Sequence, residues 1–202
     1  MTERWIDTFL RSPNAKLFVR IEDEFLQNTF NITGIKQKMT HFTPAYELIR
    51  RNTTNSARGE IDFSTIEKES KILYGLIHAR FLLTKSGLQL MYEKYQKKEF
   101  QECPRVYCKG TQCLPYGISE DVGVEKVKMF CPCCRDIYDL IDPDVKDIDG
   151  SCFGPSWVHM FLQRYSSVVP KDPPRVYVPK IYGFKICHES DKISDSSDES
   201  ED

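Results

Sequence analysis

Eight cysteines occur in this 202-residue chain, and four of them form two clusters with the spacing of a metal site. Four residues separate Cys103 from Cys108, two separate Cys131 from Cys134, and twenty-two lie between the clusters. Four thiolates in this arrangement suit one tetrahedral zinc ion in a zinc ribbon. Because four protein ligands leave no open position for water or substrate, we expect one structural Zn²⁺ per chain.

Spacing alone does not select the four ligands, because Cys113 follows the first cluster and Cys133 lies inside the second. The short loop of residues 131–134 favours Cys131 and Cys134, since it can aim both sulfurs at one point. The alternative is a disulfide framework, which is typical of short secreted chains. This chain begins without an apolar signal core. We therefore expect reduced thiols and an intracellular location, in the cytoplasm or the nucleus.

The composition is that of a globular protein, with 40% hydrophobic residues. No stretch reaches the roughly 18 uncharged apolar residues that a membrane span requires, so we expect no membrane association. The net charge of -2 is unevenly distributed, because residues 189–202 contain seven acidic residues and one basic residue. This composition predicts an acidic, Ser-rich and disordered tail that follows a slightly basic body.

Residues 1–98 show helical patterns and are predicted to form a helical domain. A short helix is predicted over 3–10, and helical turns are predicted at Phe18, Ile21 and Phe25. A further helix is predicted with Pro44 in its first turn and its end near Arg51, followed by a polar loop over 52–59. Ser64 and Glu67 have capping-box spacing, which predicts that a long, buried helix starts there. Ser86-Gly87 is expected to interrupt it, and His78 within it is interpreted as a hydrogen-bonded core residue.

From residue 99 the pattern changes to short strands, so the predicted fold class is α+β and mainly helical. The predicted units are a zinc ribbon over 99–141, a C-terminal helix with an extended segment over 142–188, and a tail over 189–202. Strands are expected at Arg105–Tyr107, Val127–Phe130 and Asp136–Tyr138, and a helix around Trp157–Tyr165. If residues 181–186 are extended, Tyr182, Phe184 and Ile186 lie on one side.

These segments together resemble the regulatory (beta) subunits of casein kinase II, from about Trp5 to Ile186. The strongest matching segments are Leu73–Arg80, Cys103–Cys108, Cys131–Cys134 and Tyr182–Ile186. The resemblance implies that the four zinc ligands are Cys103, Cys108, Cys131 and Cys134. Neither Cys113 nor Cys133 is required by the family pattern.

The resemblance also implies how such a chain assembles. Two chains would form a homodimer through their ribbons, and the dimer would carry two catalytic casein kinase II subunits. Tyr182 and Phe184 match the family's main kinase-docking residues, and His159 and Met160 match a second contact. The implied function is non-catalytic: the chain stabilises the kinase and modulates its choice of protein substrates. The family's acidic loop is absent here, since Arg50 and Arg51 stand in its place.

The tail offers possible phosphorylation sites for the attached kinase. Casein kinase II prefers a serine with an acidic residue three positions later, and Ser196 followed by Glu199 fits that preference. Ser194, Ser197 and Ser200 are further candidates. The alternative is a tail that only increases solubility.

The sequence argues against two other functional classes. The chain contains no phosphate-binding loop, no metalloprotease motif and no kinase catalytic motif, so we expect no intrinsic enzyme activity. A nucleic-acid-binding zinc ribbon is the alternative function. Between Cys103 and Arg135 there are five basic and three acidic residues, and acidic residues follow directly. Without a concentrated basic surface, we expect only weak binding to nucleic acid.

Overall fold

The computed structural model describes residues 4–51, 61–171 and 177–186. The α-helices of these ranges are α1 (Trp5–Arg11), α2 (Asp23–Gln27), α3 (Phe42–Arg51), α4 (Phe63–Phe81), α5 (Lys85–Gln96) and α6 (Trp157–Arg164). The strands are β1 (Leu114–Tyr116), β2 (Lys128–Phe130), β3 (Ile137–Tyr138), β4 (Lys180–Ile181) and β5 (Phe184–Lys185). A mainly helical chain with small sheets confirms the predicted fold class. None of the described helices combines the length and the apolar character needed to cross a membrane.

Helix α4 forms the centre of the helical region. Leu73, Tyr74, Ile77 and Phe81 have no solvent exposure. They are enclosed because α3 packs along α4 and the segment that follows the ribbon crosses it. A helix that is apolar on nearly all sides is stable only when neighbours cover several of its faces. This explains why the sequence around residues 73–83 has no polar face.

His78 lies within this core and its ring is hydrogen-bonded on both sides. Its Nε2 accepts from the backbone N–H of Val19 at 3.2 Å, and its Nδ1 lies 2.9 Å from the Cys152 carbonyl oxygen. Because a carbonyl oxygen can only accept a hydrogen bond, Nδ1 must carry the ring proton and donate it. Burial lowers the pKa of His78 to about 4, so the ring is neutral. The prediction of a hydrogen-bonded core histidine is confirmed.

The predicted helical turns at Phe18 and Ile21 are wrong, and α2 begins only at Asp23. Two amides of the segment before it, those of Val19 and Ile21, are bound by side chains of α4 and not by backbone carbonyls. The Tyr74 hydroxyl accepts from the Ile21 N–H at 3.1 Å. Apolar residues three or four positions apart can therefore also line an extended segment whose amides are bound from outside.

The predicted capping box at the start of α4 is also wrong. The helix begins at Phe63, with Asp62 at the N-cap position, and no side chain caps its first turn. The Ser64 hydroxyl instead donates a hydrogen bond to the carboxylate of Asp62.

The interruption predicted at Ser86-Gly87 lies earlier, because α4 ends at Phe81 and α5 begins at Lys85. The Thr84 hydroxyl caps α5 by accepting from the Gly87 N–H at 3.1 Å. A Cβ on Gly87 would lie 2.2 Å from the Phe81 carbonyl oxygen. Glycine is therefore needed in the first turn of α5 for close approach to α4, and it does not break the helix.

Strands β1, β2 and β3 form an antiparallel sheet in that order. Leu114 faces Phe130 and Phe130 faces Ile137. The strands predicted near β2 and β3 are confirmed. The strand predicted over 105–107 is wrong, since Val106–Cys108 is a 3₁₀ turn, and β1 was not anticipated because Pro115 at its centre is unusual within a strand.

The segment after the ribbon packs back onto the rest of the molecule. Val145 and Phe153 are almost completely buried, and the Phe153 ring lies 5.4 Å from that of Phe18. Helix α6 then rests on β1, where the Trp157 indole N–H donates to the Pro115 carbonyl at 3.0 Å. The acidic segment 142–150 is therefore part of the packed structure. The predicted domain boundaries remain predictions.

Candidate metal centre and exposed C-terminal hairpin

Four cysteine sulfurs converge at one end of the three-stranded sheet. The Sγ atoms of Cys103, Cys108, Cys131 and Cys134 all lie within 4.8 Å of one another, and those of Cys103 and Cys134 are 3.9 Å apart. A tetrahedral zinc ion with Zn–S distances of about 2.3 Å places its sulfurs about 3.8 Å apart. The all-sulfur donor set therefore fits a structural zinc ion. Among the described residues, no second group of histidine, cysteine or acidic side chains meets the same criterion.

Two tight turns bring these sulfurs together. The first is the 3₁₀ turn Val106–Cys108, which continues into Lys109 and Gly110, both with positive φ. The second follows β2, where the Arg135 N–H donates to the Cys131 carbonyl at 2.8 Å. A straight strand across residues 105–107 would separate Cys103 from Cys108. The metal ligands therefore require the turn that replaces the predicted strand.

Neighbouring donors favour a thiolate at one of the four positions. The pKa of Cys131 is lowered to about 4, first by a hydrogen bond from the Cys113 thiol and then, against the opposing effect of burial, by the backbone N–H groups of Cys134 and Cys133. Burial raises the pKa values of Cys103 and Cys108. One thiolate is thus favoured by the protein alone, and a bound cation would supply the charge that favours the others.

A tyrosine supports the cluster from outside. The Tyr138 hydroxyl lies 3.2 Å from the Cys134 Sγ, and this hydrogen bond raises the pKa of Tyr138. The phenol therefore keeps its proton, and it would donate to a metal-bound thiolate at Cys134. Hydrogen bonds of this kind orient metal ligands and adjust their basicity.

The two competing cysteines lie outside this group of four. Cys113 is fully buried beside Cys131, whereas Cys133 is partly exposed at the second turn. Cys152 is buried far along the chain against Gly75 of α4. Cys187 lies outside the described residues.

The C-terminal segment is a hairpin, and the prediction of one continuous strand is wrong. Strands β4 and β5 pair with Ile181 opposite Phe184. Tyr182 and Gly183 connect them with φ values of 48° and 87°. Positive φ at both central residues is the signature of a type I′ turn. The Tyr-Gly pair is a variant of the Asn-Gly signal, which explains why alternation alone missed it.

Two aromatic side chains of this hairpin face solvent. Tyr182 is 97% exposed and Phe184 is 79% exposed. Aromatic side chains on a short, regular hairpin lose little conformational freedom when a partner covers them. This exposure is therefore typical of a binding surface.

His159 and Met160 lie on the outer side of α6. The opposite side of the helix is buried through Trp157, Val158 and Phe161. Met160 is 40% exposed, and the His159 ring lies 6.4 Å from that of Phe130 in β2. Both residues are therefore accessible beside the sheet.

An exposed apolar surface near the metal centre was not identified from the sequence. Val106 in the first turn is 86% exposed, and Ile137 of β3, which pairs with Phe130 directly before Cys131, is also exposed. These residues are scattered along the chain without periodicity, so no sequence pattern could have grouped them. Exposed apolar residues collected on one small module are typical of protein–protein contacts.

The basic side chains of the ribbon are largely neutralised. Arg105, Lys126 and Lys128 each form an ion pair with a neighbouring aspartate. This arrangement disfavours the alternative of a nucleic-acid-binding ribbon, which needs free cations for phosphate contacts.

Comparison with known proteins identifies the family. Residues 4–185 match the family model described as casein kinase II regulatory subunit. The chain belongs to the casein kinase II regulatory subunit family. The four phosphorylation candidates, Ser194, Ser196, Ser197 and Ser200, lie outside the described residues and remain predictions.

Named relatives in this family come from distant eukaryotes. A casein kinase II subunit beta of Dictyostelium discoideum is 38% identical over 90% of this chain and 68% of its own length. The subunit beta-2 of Schizosaccharomyces pombe is 39% identical over 90% of this chain and 73% of its own length. The subunit beta′ of Saccharomyces cerevisiae is 37% identical over 91% of this chain and 72% of its own length.

Proposed function

We propose that this chain is a non-catalytic regulatory subunit that forms a zinc-dependent homodimer and docks two catalytic casein kinase II subunits. The observation that carries the proposal is the exposure of Tyr182 and Phe184 on a preformed hairpin in a member of this family. Interface energies are commonly dominated by a few aromatic residues of this kind. His159 and Met160 on α6 offer a second contact.

The ribbon supplies the dimer contact in this proposal. Val106 lies in the turn that ends at Cys108, and Ile137 pairs with the residue before Cys131. A metal that orders these turns would therefore also order the exposed apolar residues beside them. A two-fold contact uses the same surface of both chains, which suits one small module per chain. The zinc ion stabilises this surface and takes no part in chemistry, because four cysteines complete a tetrahedral site.

In this proposal the chain regulates the kinase by binding it and by fixing how the two kinase subunits are placed relative to each other. A dimer positions two kinase subunits, stabilises them and changes which protein substrates they accept. A centre built from reduced thiols suits an intracellular location, in the cytoplasm or the nucleus. The kinase so held would phosphorylate the tail at Ser196, and further at Ser194, Ser197 and Ser200. Mass spectrometry of the complex incubated with ATP tests this step, and an unmodified tail would contradict it.

The decisive experiment removes both aromatic side chains of the hairpin. We expect the double variant Tyr182→Ala, Phe184→Ala to bind the catalytic subunit roughly 1,000-fold more weakly, at about 2 kcal/mol or more for each residue. Its zinc content and dimeric state should not change. Phe30→Ala is the matched control, since Phe30 is an equally exposed aromatic residue of the helical region. Copurification of the double variant with kinase at wild-type stoichiometry would refute the proposed docking.

A further inference from the structure

Cys113 lies directly opposite a metal-site cysteine. Strands β1 and β2 pair Leu114 with Phe130, and each neighbouring position along an antiparallel pair keeps the same register. Cys113 precedes Leu114 and Cys131 follows Phe130. The next pair of this ladder is therefore Cys113 and Cys131.

The backbone hydrogen bonds show which kind of pair this is. The Cys113 N–H donates to the Gln101 carbonyl at 2.8 Å, and the Cys131 N–H donates to the Asp136 carbonyl at 3.0 Å. Both amides thus point away from the strand that faces them. Such a non-hydrogen-bonded pair brings the Cα atoms to about 4.5 Å and the side chains close together on one face.

This geometry suits a disulfide bond without a change in the backbone. Disulfides form between cysteines whose Cα atoms are roughly 4.4–6.8 Å apart and whose side chains point toward each other. Both cysteines are fully buried. Cys133 lies in the turn beyond β2 and is not part of the ladder.

We propose that Cys113 and Cys131 form a redox modification site, in which a peroxide converts the two thiols into a disulfide and removes Cys131 from the metal's ligand set. This inference rests on the proposed zinc centre. It assigns Cys113 a role as a resolving thiol, in place of the bystander that its position outside the ligand set suggests.

The reaction balances in two steps. The Cys131 thiolate attacks one oxygen of hydrogen peroxide, the O–O bond breaks, and a sulfenic acid and hydroxide result. The Cys113 thiol then attacks the sulfenic sulfur, so that an S–S bond forms and water leaves with the thiol proton. Two electrons pass from the two sulfurs to the peroxide.

The consequence is a reversible loss of the metal centre. A sulfur in a disulfide no longer provides the thiolate that a zinc ion requires, and three cysteines remain. Because the partner thiol is already in place, oxidation of Cys131 stops at the disulfide and does not continue to irreversible sulfinic acid. A dithiol reductant and zinc should then restore the centre.

The test uses the purified full-length chain, whose zinc content is measured first. The chain is treated with hydrogen peroxide, the released zinc is followed with a chromogenic chelator, and free thiols are alkylated without reduction. Trypsin would release Cys113 alone on peptide 110–126 and Cys131 on peptide 129–135 with Cys133 and Cys134. Tandem mass spectrometry then identifies which sulfur of the second peptide is linked.

We expect a Cys113–Cys131 link that appears together with zinc release, and recovery of at least nine-tenths of the zinc after reduction. Cys113→Ala should form no such link and should regain less than half of its zinc. Cys133→Ala is the control and should behave as the wild type. Three results would overturn the proposal. They are disulfide links confined to other cysteines, zinc release without the Cys113–Cys131 link, and equal recovery of zinc in Cys113→Ala and the wild type.

The wild-type disulfide map decides the inference even if Cys113→Ala fails to fold. The two proposals also fail separately. A chain purified under reducing conditions without zinc would refute the zinc centre of the proposed function, whereas a zinc-loaded chain that never links Cys113 to Cys131 would refute the redox site alone.

Discussion

In the helical region, Tyr74 and His78 are fully enclosed by aromatic and aliphatic side chains, whereas the ribbon consists of strands two or three residues long with exposed apolar residues beside them. The first region buries enough apolar surface to fold through packing. The second has little core of its own and depends on four sulfurs that converge on a metal. The comparison teaches that one chain can combine a region stabilised by packing with a small module that has little core, whose order we propose to depend on a bound metal.

Removal of the metal should give the largest effect and would separate the two regions. Structural zinc contributes on the order of 10 kcal/mol to folding of small modules. We therefore expect a chelator to abolish amide hydrogen-exchange protection across 101–139 and to dissociate the dimer, while α3 and α4 remain protected. Chelator saturated with zinc beforehand is the control. Simultaneous loss of protection in both regions would show that the helical core is not independent.

The next largest effect tests the contact between the regions. A Cβ on Gly75 of α4 would lie 2.2 Å from the Sγ of Cys152, which belongs to the segment that follows the ribbon. We expect Gly75→Ala to lower the free energy of unfolding by about 1–3 kcal/mol through overpacking. Adding Cys152→Ala should recover more than half of this loss, measured by urea denaturation. A double variant that is less stable than Gly75→Ala alone would contradict this explanation.

A smaller effect concerns pH and involves only the helical region. The pKa of His78 is about 4 in the folded chain, below its unfolded value of about 6.5, so the unfolded chain binds the additional proton. This stability is fully present above about pH 6.5 and is lost as the pH falls toward 4. We expect a loss of about 2 kcal/mol between pH 7 and pH 5.

Helical ellipticity during urea unfolding, with zinc in excess, measures this loss. His159→Gln removes an exposed histidine and should leave the pH dependence unchanged. An NMR titration that places the pKa of His78 near 6.5 in the folded chain would refute the assignment.

The smallest effect concerns the hairpin turn. Gly183 has a φ of 87° and open space around it, so Gly183→Ala should cost about 1 kcal/mol of backbone strain without a clash. We expect kinase affinity to fall roughly fivefold, because the aromatic side chains would be less well preorganised. Gly123→Ala is the matched control for Gly183→Ala, since Gly123 has a φ of 79° and equally open surroundings. Equal loss of affinity in both variants, measured by calorimetry, would contradict this account.

The sequence predicted those parts of the molecule that depend on the spacing of residues close together in the chain. Cysteine spacing predicted the cluster around Cys131, Pro44 in a first turn indicated α3, and apolar residues predicted α4 and α6. It missed the strand at Leu114–Tyr116, because ladder pairing depends on a partner twelve or more residues away. It also mistook the extended segment before α2 for a helix, because side chains of α4 satisfy its amides. Local sequence patterns cannot predict which distant residues will bind the backbone groups of a segment.

The hydrogen bond from the Trp157 indole to the Pro115 carbonyl connects α6 directly to β1, which pairs with the strand that ends just before Cys131. The orientation of His159 and Met160 is thereby coupled to the sheet beside the four-cysteine cluster. If the proposed zinc ion orders this sheet, its loss should tilt α6 even where the helix itself stays intact. A kinase subunit that docks at His159 and Met160, as proposed, would then respond to the metal through the angle of the helix, without any contact to a sulfur.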